Sequence, residues 1–416
     1  MIRWLAAIGI LAGSALLAWT LFFSGHRPPS APRVPSVSRD LPWYAKPRFD
    51  DRLPGRINIS VFIYRDRNQN GIYDTQDLPM ADVAVLLERP DGLLQVVRSD
   101  NDGYADFKAS RGHTALHISE AGRDYHFEVQ PPAGWSITSG NARQSARFIA
   151  LAGSPSGLAA ETPPAAVGLA PALTVSGQLR KVPAGGEGWV AIGPRGRQQR
   201  LEIDAQGYFS FTARAGNWKL VDRRAGQSRI LREFAVKDAP VVLAGIDIDH
   251  PQRAAKARGL TIDFEDFGRS IIDKLAMGYR GLDWDYLLAV DNQHYGGAGY
   301  VNVLSSGSNV GYNSSGHPAT IRSLEHDQRF DFVGGYFAVA WSQGEGESLI
   351  FEAWRGDQRV ASDKIRLSHL GPVWFQADYR DIDRLRMRSA HYWQFTTDDL
   401  LLRLGSATPQ ARPQAN

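Results

Sequence analysis

The chain is predicted to be all-β: two tandem β-sandwiches and a C-terminal jelly roll, following one N-terminal transmembrane helix. Three observations predict this. Short runs that alternate or are rich in β-branched residues recur from Ile57 to Leu404, with Gly, Pro and Asx turns between them. A D-x-x-G-Y-x-x-F segment occurs twice, as Asp100, Gly103, Tyr104 and Phe107 and as Asp204, Gly207, Tyr208 and Phe211. That spacing fits a hairpin turn with an aromatic strand behind it. Trp4–Phe23 runs for twenty residues without a charge, long enough to cross a bilayer.

At 416 residues, two to four domains are expected, and 43% hydrophobic content is enough to give each a core. The net charge of +3 is mild and the basic residues are spread, so no nucleic-acid partner is expected. Cysteine is absent, which excludes disulfides, thiol catalysis, cysteine-ligated zinc and a lipoprotein anchor. Export stays open, because metal can staple extracellular modules instead.

Residues 1–24 read as an uncleaved anchor rather than a cleaved signal. The run ends Trp19-Thr20-Leu21-Phe22-Phe23 with no small-x-small site after it. The β-rich remainder favours an N-inside orientation, with the domains in the periplasm or at the cell surface. Gly9 and Gly13 form one small-xxx-small pair, through which two helices can associate as a homodimer. Residues 25–54 carry prolines at 28, 29, 32, 35, 42, 47 and 54 and read as a semi-extended spacer.

Residues 55–150 hold the strongest chemical signal. Asp66–Asp77, DRNQNGIYDTQD, fits the twelve-residue calcium loop D-x-[DN]-x-[DN]-G-x5-E except at its last position, where Asp replaces Glu. Asp66, Asn68, Asn70, Asp74 and Asp77 supply side-chain oxygens, Ile72 its carbonyl, and Gly71 the sharp turn. Calcium is a hard cation that takes six to eight oxygens in a flexible geometry, which such a loop can provide. The approach Ile57–Tyr64 is strand-like and the exit Leu78-Pro79 stops a helix, so the loop joins strands. An Asx-rich turn without metal is the alternative.

The same stretch continues with a turn at Pro90-Asp91-Gly92, then Ser99–Phe107, then Pro131-Pro132-Ala133-Gly134-Trp135. On these residues it resembles the SdrD B-like (Cna-B-type) repeat of bacterial surface proteins. The resemblance implies a calcium-stabilised, immunoglobulin-like sandwich in a surface stalk, with Asp100 completing the metal shell.

Residues 151–171, rich in Ala, Pro and Gly, read as a linker. Residues 172–250 repeat the D-x-x-G-Y-x-x-F segment without a calcium loop and resemble the carboxypeptidase regulatory-like, prealbumin-like sandwiches. Residues 251–258 form a short basic link. Residues 259–404 open Ile262–Phe267 and close Phe395–Leu400, with Gly278–Trp284, Gly307–Asn313 and Phe330-Asp331-Phe332 between. This order resembles the jelly-roll domains of PEP-CTERM-type exported proteins, which in turn resemble carbohydrate-binding modules. By that analogy Glu265 and Asp399 are candidate ligands of a second calcium tying the first and last strands. Residues 405–416 form a polar tail.

Tyr279, Trp284, Tyr295 and Tyr300 lie near glycines and polar residues and are candidates for a glycan platform; the alternative for Trp284 is a core position. No nucleophile elbow, phosphate loop, zinc helix or dinucleotide fingerprint occurs. The expected function is therefore not catalytic. It is a membrane-anchored envelope protein whose calcium-stiffened stalk presents a glycan- or envelope-binding head. The alternatives are an assembly factor that docks on a protein partner and a jelly-roll hydrolase.

Overall fold

The computed structural model describes residues 58–405, save 91, 109–123, 151–157, 161, 183–187, 227, 250–258, 268–271 and 326–327. The expected anchor, spacer, basic link and tail lie outside the described residues, Gly405 aside. Among the described residues no helix is long and apolar enough to cross a membrane, and the one α-helix is Ala298–Asn302. The rest of the described chain is strands joined by turns and short 3-10 segments, in five sheets that form three sandwiches.

In the first sandwich, strand Asn58–Arg65 lies antiparallel to Tyr104–Lys108, and at its far end parallel to Val167–Pro171. The facing sheet runs Gly92–Arg98, Ala84–Arg89, Asp124–Gln130, Arg143–Ala150, Leu158–Ala160. Alternation along the strands sends Val61, Ile63, Val85, Leu87, Phe107 and Phe127 into the core between them. Val167–Pro171 corrects the expected linker at 151–171, because it is a strand of this sandwich. Its glycine has a packing reason. Gly168 lies under Tyr64, where a Cβ would come within 2.6 Å of the ring.

The second sandwich repeats the plan. Strand Thr174–Arg180 lies antiparallel to Tyr208–Thr212 and parallel to Val241–Asp247. The two D-x-x-G-Y-x-x-F turns match bond for bond. Asp100 accepts the N–H groups of Asp102 and Tyr104, and Asp204 those of Gln206 and Tyr208. Gly103 and Gly207 hold φ of +82° and +86°, and each carbonyl accepts from the first strand, at Ile63 and Leu179. The core is aromatic, with Phe209, Phe211, Trp189 and Trp218 at its centre. Burying each ring contributes on the order of 3 kcal/mol.

The third sandwich is joined to the second. Val241–Asp247 pairs in parallel with Val373–Ile382, so one ten-stranded sheet runs through both sandwiches. It continues through Phe330–Val339, Phe395–Leu404, Asn309–Asn313, Leu287–Asp291 and Asp273–Lys274. The opening strand Leu260–Ile262 lies against the closing one, with Ile262 opposite Leu400. The facing five-stranded sheet runs Leu282–Asp285, Ala319–Ser323, Arg384–Ser389, Ser348–Arg355, Gln358–Arg366. Phe264, Trp284, Phe330, Phe351 and Phe375 fill the space between.

The outer face of the long sheet is also covered. Val310, Tyr312, Tyr336 and Ala338 are buried together with the helix residue Tyr300, with Ala239 of the second sandwich and Leu78 of the first against them. This corrects the picture of a stalk followed by a separate head. The third sandwich shares a sheet with the second and is packed on the first.

A candidate calcium loop at the junction of three sandwiches

Asp66–Asp77 leaves strand Asn58–Arg65 and returns as the short strand Leu78–Pro79. Its chain is folded around its own acids. Asp66 accepts the N–H groups of Asn70 and Gly71, at 3.2 and 2.7 Å. Asp77 accepts those of Arg67 and Asp74, at 2.9 and 3.0 Å. Asn68 and Asn70 both donate their amide N–H to Asp74, at 2.8 and 3.0 Å. Ile72 N–H is held by the Asn70 oxygen, and Gly71 takes φ +75° with Thr138 O 2.8 Å from where a Cβ would stand.

Asp66 and Asp77 are 0% and 1% exposed, and no Lys or Arg among the described residues pairs with either. Burial pushes the Asp77 carboxyl up to about 7, with the charges of Asp74 and Asp66 adding to the rise. Two buried carboxylates without a cation are costly. Among the described residues no three Asp, Glu or His side chains already stand around one point that would hold an ion. The oxygens are instead taken by N–H groups of the loop. The residue set nevertheless fits a hard cation: all the side-chain donors are carboxylates or amide oxygens, linked in one small network, with an uncompensated buried charge at its base.

The loop is flanked by two arginines that leave it. Arg65 is 3% exposed and donates to the carbonyls of Asn302 and Leu304 in the third sandwich, at 2.7 and 2.6 Å. Arg67 pairs with Asp238 of the second sandwich and donates to Ser305 O at 3.0 Å. Burial pushes the Asp238 carboxyl up, but Arg65 and Arg67 outweigh it and hold it below the usual value. Tyr336 O–H completes the group on Asp238, at 3.3 Å. Asp66, the first position of the loop, therefore sits between two residues that between them reach the second and third sandwiches.

No family model matches the chain, and no curated protein matches it. Among solved structures it is similar to the Bacillus anthracis TIE protein, 13% identical, with TM-score 0.22; the match covers 46% of this chain and 33% of that one. It is also similar to the shaft pilin SpaA from Lactobacillus rhamnosus GG, 9% identical over 47% of this chain and 97% of that one, with TM-score 0.22. A third is a family 16 carbohydrate-binding module, 14% identical over 29% and 89% of the two chains, with TM-score 0.18. The chain thus spans a third of the length of the first of these. At these identities and scores the likeness bears on neither ligand nor partner.

The other expected ligands fall elsewhere. Asp100, expected in the metal shell, is exposed and accepts N–H groups of its own turn, as Asp204 does in a turn with no calcium loop beside it. Glu265 and Asp399 do come to one loop. Glu265 accepts Ser308 and Asn309 N–H, at 2.8 and 2.6 Å, and Asp399 accepts Ser306 O–H at 2.9 Å. Both grip the protein itself, and among the described residues no three acids or histidines are placed there to hold one ion. The buried acid is the neighbouring Asp398, which accepts Ser305 and Ser306 N–H at 2.6 and 3.0 Å. Burial, then Asp399 beside it, raises its carboxyl well above the ordinary range.

The four candidate aromatics form two pairs rather than one platform. Trp284 is 2% exposed, donates to Tyr279 O at 2.8 Å and belongs to the core. Tyr279 packs on it at 6.0 Å and holds Asp266. Tyr300 is 0% exposed and meets Tyr295 at 5.1 Å, with Tyr312 and Trp341 completing a cluster that sequence reasoning missed. Beside Trp341 a cleft of about 630 Å³ opens in the seam between the first and third sandwiches, rimmed by Asp82, Asp102, Gln293 and Gln343. The seam is pinned further along. His369 bridges Asp82 of the first sandwich and Glu345 of the third, at 2.7 and 2.6 Å. Burial works against its charge, but the two carboxylates raise it to about 9.

Proposed function

We propose that this chain is a surface or envelope protein in which an SdrD B-like calcium loop locks three β-sandwiches into one body. The third sandwich, a jelly roll in this reading, binds a glycan or another envelope component. The apolar run at Trp4–Phe23 would hold the assembly on a membrane. The observation that carries the reading is the placement of Asp66 between Arg65 and Arg67. Calcium held by Asp66, Asn68, Asn70, Ile72 O, Asp74 and Asp77 would fix the backbone from which both arginines spring. The seam cleft beside Trp341 is the glycan site of this reading, since an indole face ringed by carboxylates and amides suits a sugar ring and its hydroxyls.

Calorimetry of the full chain in detergent, with calcium and with chelator, tests the lock. Ligand that binds only the folded state raises its stability. Calcium at a hundred times its Kd should add about 2.7 kcal/mol. Asp66→Ala should abolish most of the shift. An unchanged melting temperature would refute the calcium reading, and a glycan array without hits would refute the binding reading.

A further inference from the structure

The long sheet of the third sandwich is covered on its outer face, whereas most outward positions of the five-stranded sheet are half-buried or exposed among the described residues. Its outward positions are unusually basic. Arg322, Arg359, Lys364, Arg366, Arg384, Arg386 and Arg388 stand against Asp283, Asp285 and Glu352. Seven bases against three acids leave a surplus of four on one face, more than the +3 of the whole chain.

The acids are already spoken for. Glu352 takes Arg359 and Arg386, at 3.1 and 3.8 Å, and Asp283 and Asp285 take Arg322, at 3.5 and 3.7 Å. Arg388, Lys364 and Arg366 have no carboxylate partner among the described residues. They sit at one end of the face, with Arg388 and Lys364 on either side of Ile350 and Arg366 opposite Ser348. Neighbouring strands are about 4.8 Å apart, so these two cations stand roughly 10 Å apart. Arg384 lies over the Trp354 ring at 4.7 Å, which adds a flat, partly apolar surface beside the row.

We propose that this face binds a linear acidic polysaccharide, its carboxylates meeting the arginine row. This rests on the reading that the third sandwich binds a glycan, and names the class. Guanidinium forks match carboxylates in a way ammonium groups do not, and six of the seven bases are arginine. A nucleic acid would need rings free for bases to stack on, and the one aromatic here is half-buried beneath Arg384. The seam cleft, rimmed by Asp82 and Asp102, would repel the same polymer, so the two sites separate by charge.

The test is binding of full-length chain in detergent to polygalacturonate, dextran, single-stranded DNA and phosphatidylserine vesicles, at 50 and 300 mM salt. Polygalacturonate should bind, weaken at least tenfold at the higher salt, and exceed the other three. Arg388→Gln with Lys364→Gln and Arg366→Gln should weaken it at least tenfold with an unchanged melting temperature. Equal binding by this variant overturns the proposal, as does tighter binding of DNA or vesicles. A neutral glycan bound equally well by chain and variant, with polygalacturonate ignored, overturns it while leaving the seam site standing. A variant that melts early is replaced by Lys364→Gln alone, for which a loss below twofold overturns the proposal.

Discussion

Gly103 and Gly207 show how much one backbone angle can demand. Each sits at positive φ, and a Cβ would meet Ile63 O at 2.5 Å or Leu179 O at 2.0 Å. Alanine at either position should cost about 1–3 kcal/mol in chemical denaturation, more at Gly207 because the approach is closer. These turns were legible from sequence because acid, glycine and aromatic lie within eight residues and act on one another. Asp398 was not. The jelly-roll analogy pointed to Asp399, but Asp399 takes φ +48°, the strand loses its regularity there, and its neighbour becomes the buried acid. The exposed Tyr208 and buried Tyr104 make the same point, since the repeat fixes a turn and leaves burial to whatever packs over it.

At the scale of the element, the loop was legible and its attachment was not. Alternate Asx residues on a short segment announce a turn folded around its own acids; nothing local announces that Arg65 has partners more than two hundred residues away. A buried arginine at the end of a strand reads as an exposed one. Arg65→Met should therefore be far costlier than a surface change. It leaves the carbonyls of Asn302 and Leu304 without donors, a loss of about 3 kcal/mol or more in denaturant melts, with calcium present or absent. Equal stability of the variant would show that the join is made elsewhere. The strand Val167–Pro171 was hidden for the opposite reason. Its glycine, alanine and proline look like a linker, yet at Gly168 any side chain would meet the Tyr64 ring.

At the scale of the molecule, composition and periodicity pointed to strands everywhere, and strands fill the described chain. How the sandwiches meet was not legible, because it depends on side chains such as Asn302, whose amide binds both Ala81 N–H and Ala81 O as well as His369 O. His369 gives this packing a pH dependence. Its ordinary pKa is 6.5 and its folded value about 9, so the stability it contributes is complete below about 6.5 and lost as pH rises through 9. Asp82, Glu345 and Arg98, which pairs with Asp82, are the charges that face it. Denaturation across pH 6 to 10 should show a fall of about 2 kcal/mol that His369→Gln removes. A fall of the same size in the variant would assign it to other groups.

The parallel seam between Val241–Asp247 and Val373–Ile382 also has a consequence for synthesis. The chain emerges from the ribosome in order, so the second sandwich is complete while its neighbour strand is still unmade. For that interval Val241–Asp247 is an open edge with unpaired amides and carbonyls, the kind of edge onto which another copy can add. Nascent or truncated chains that stop between the two strands should therefore self-associate through it, and the finished third sandwich protects the second as much as it extends it.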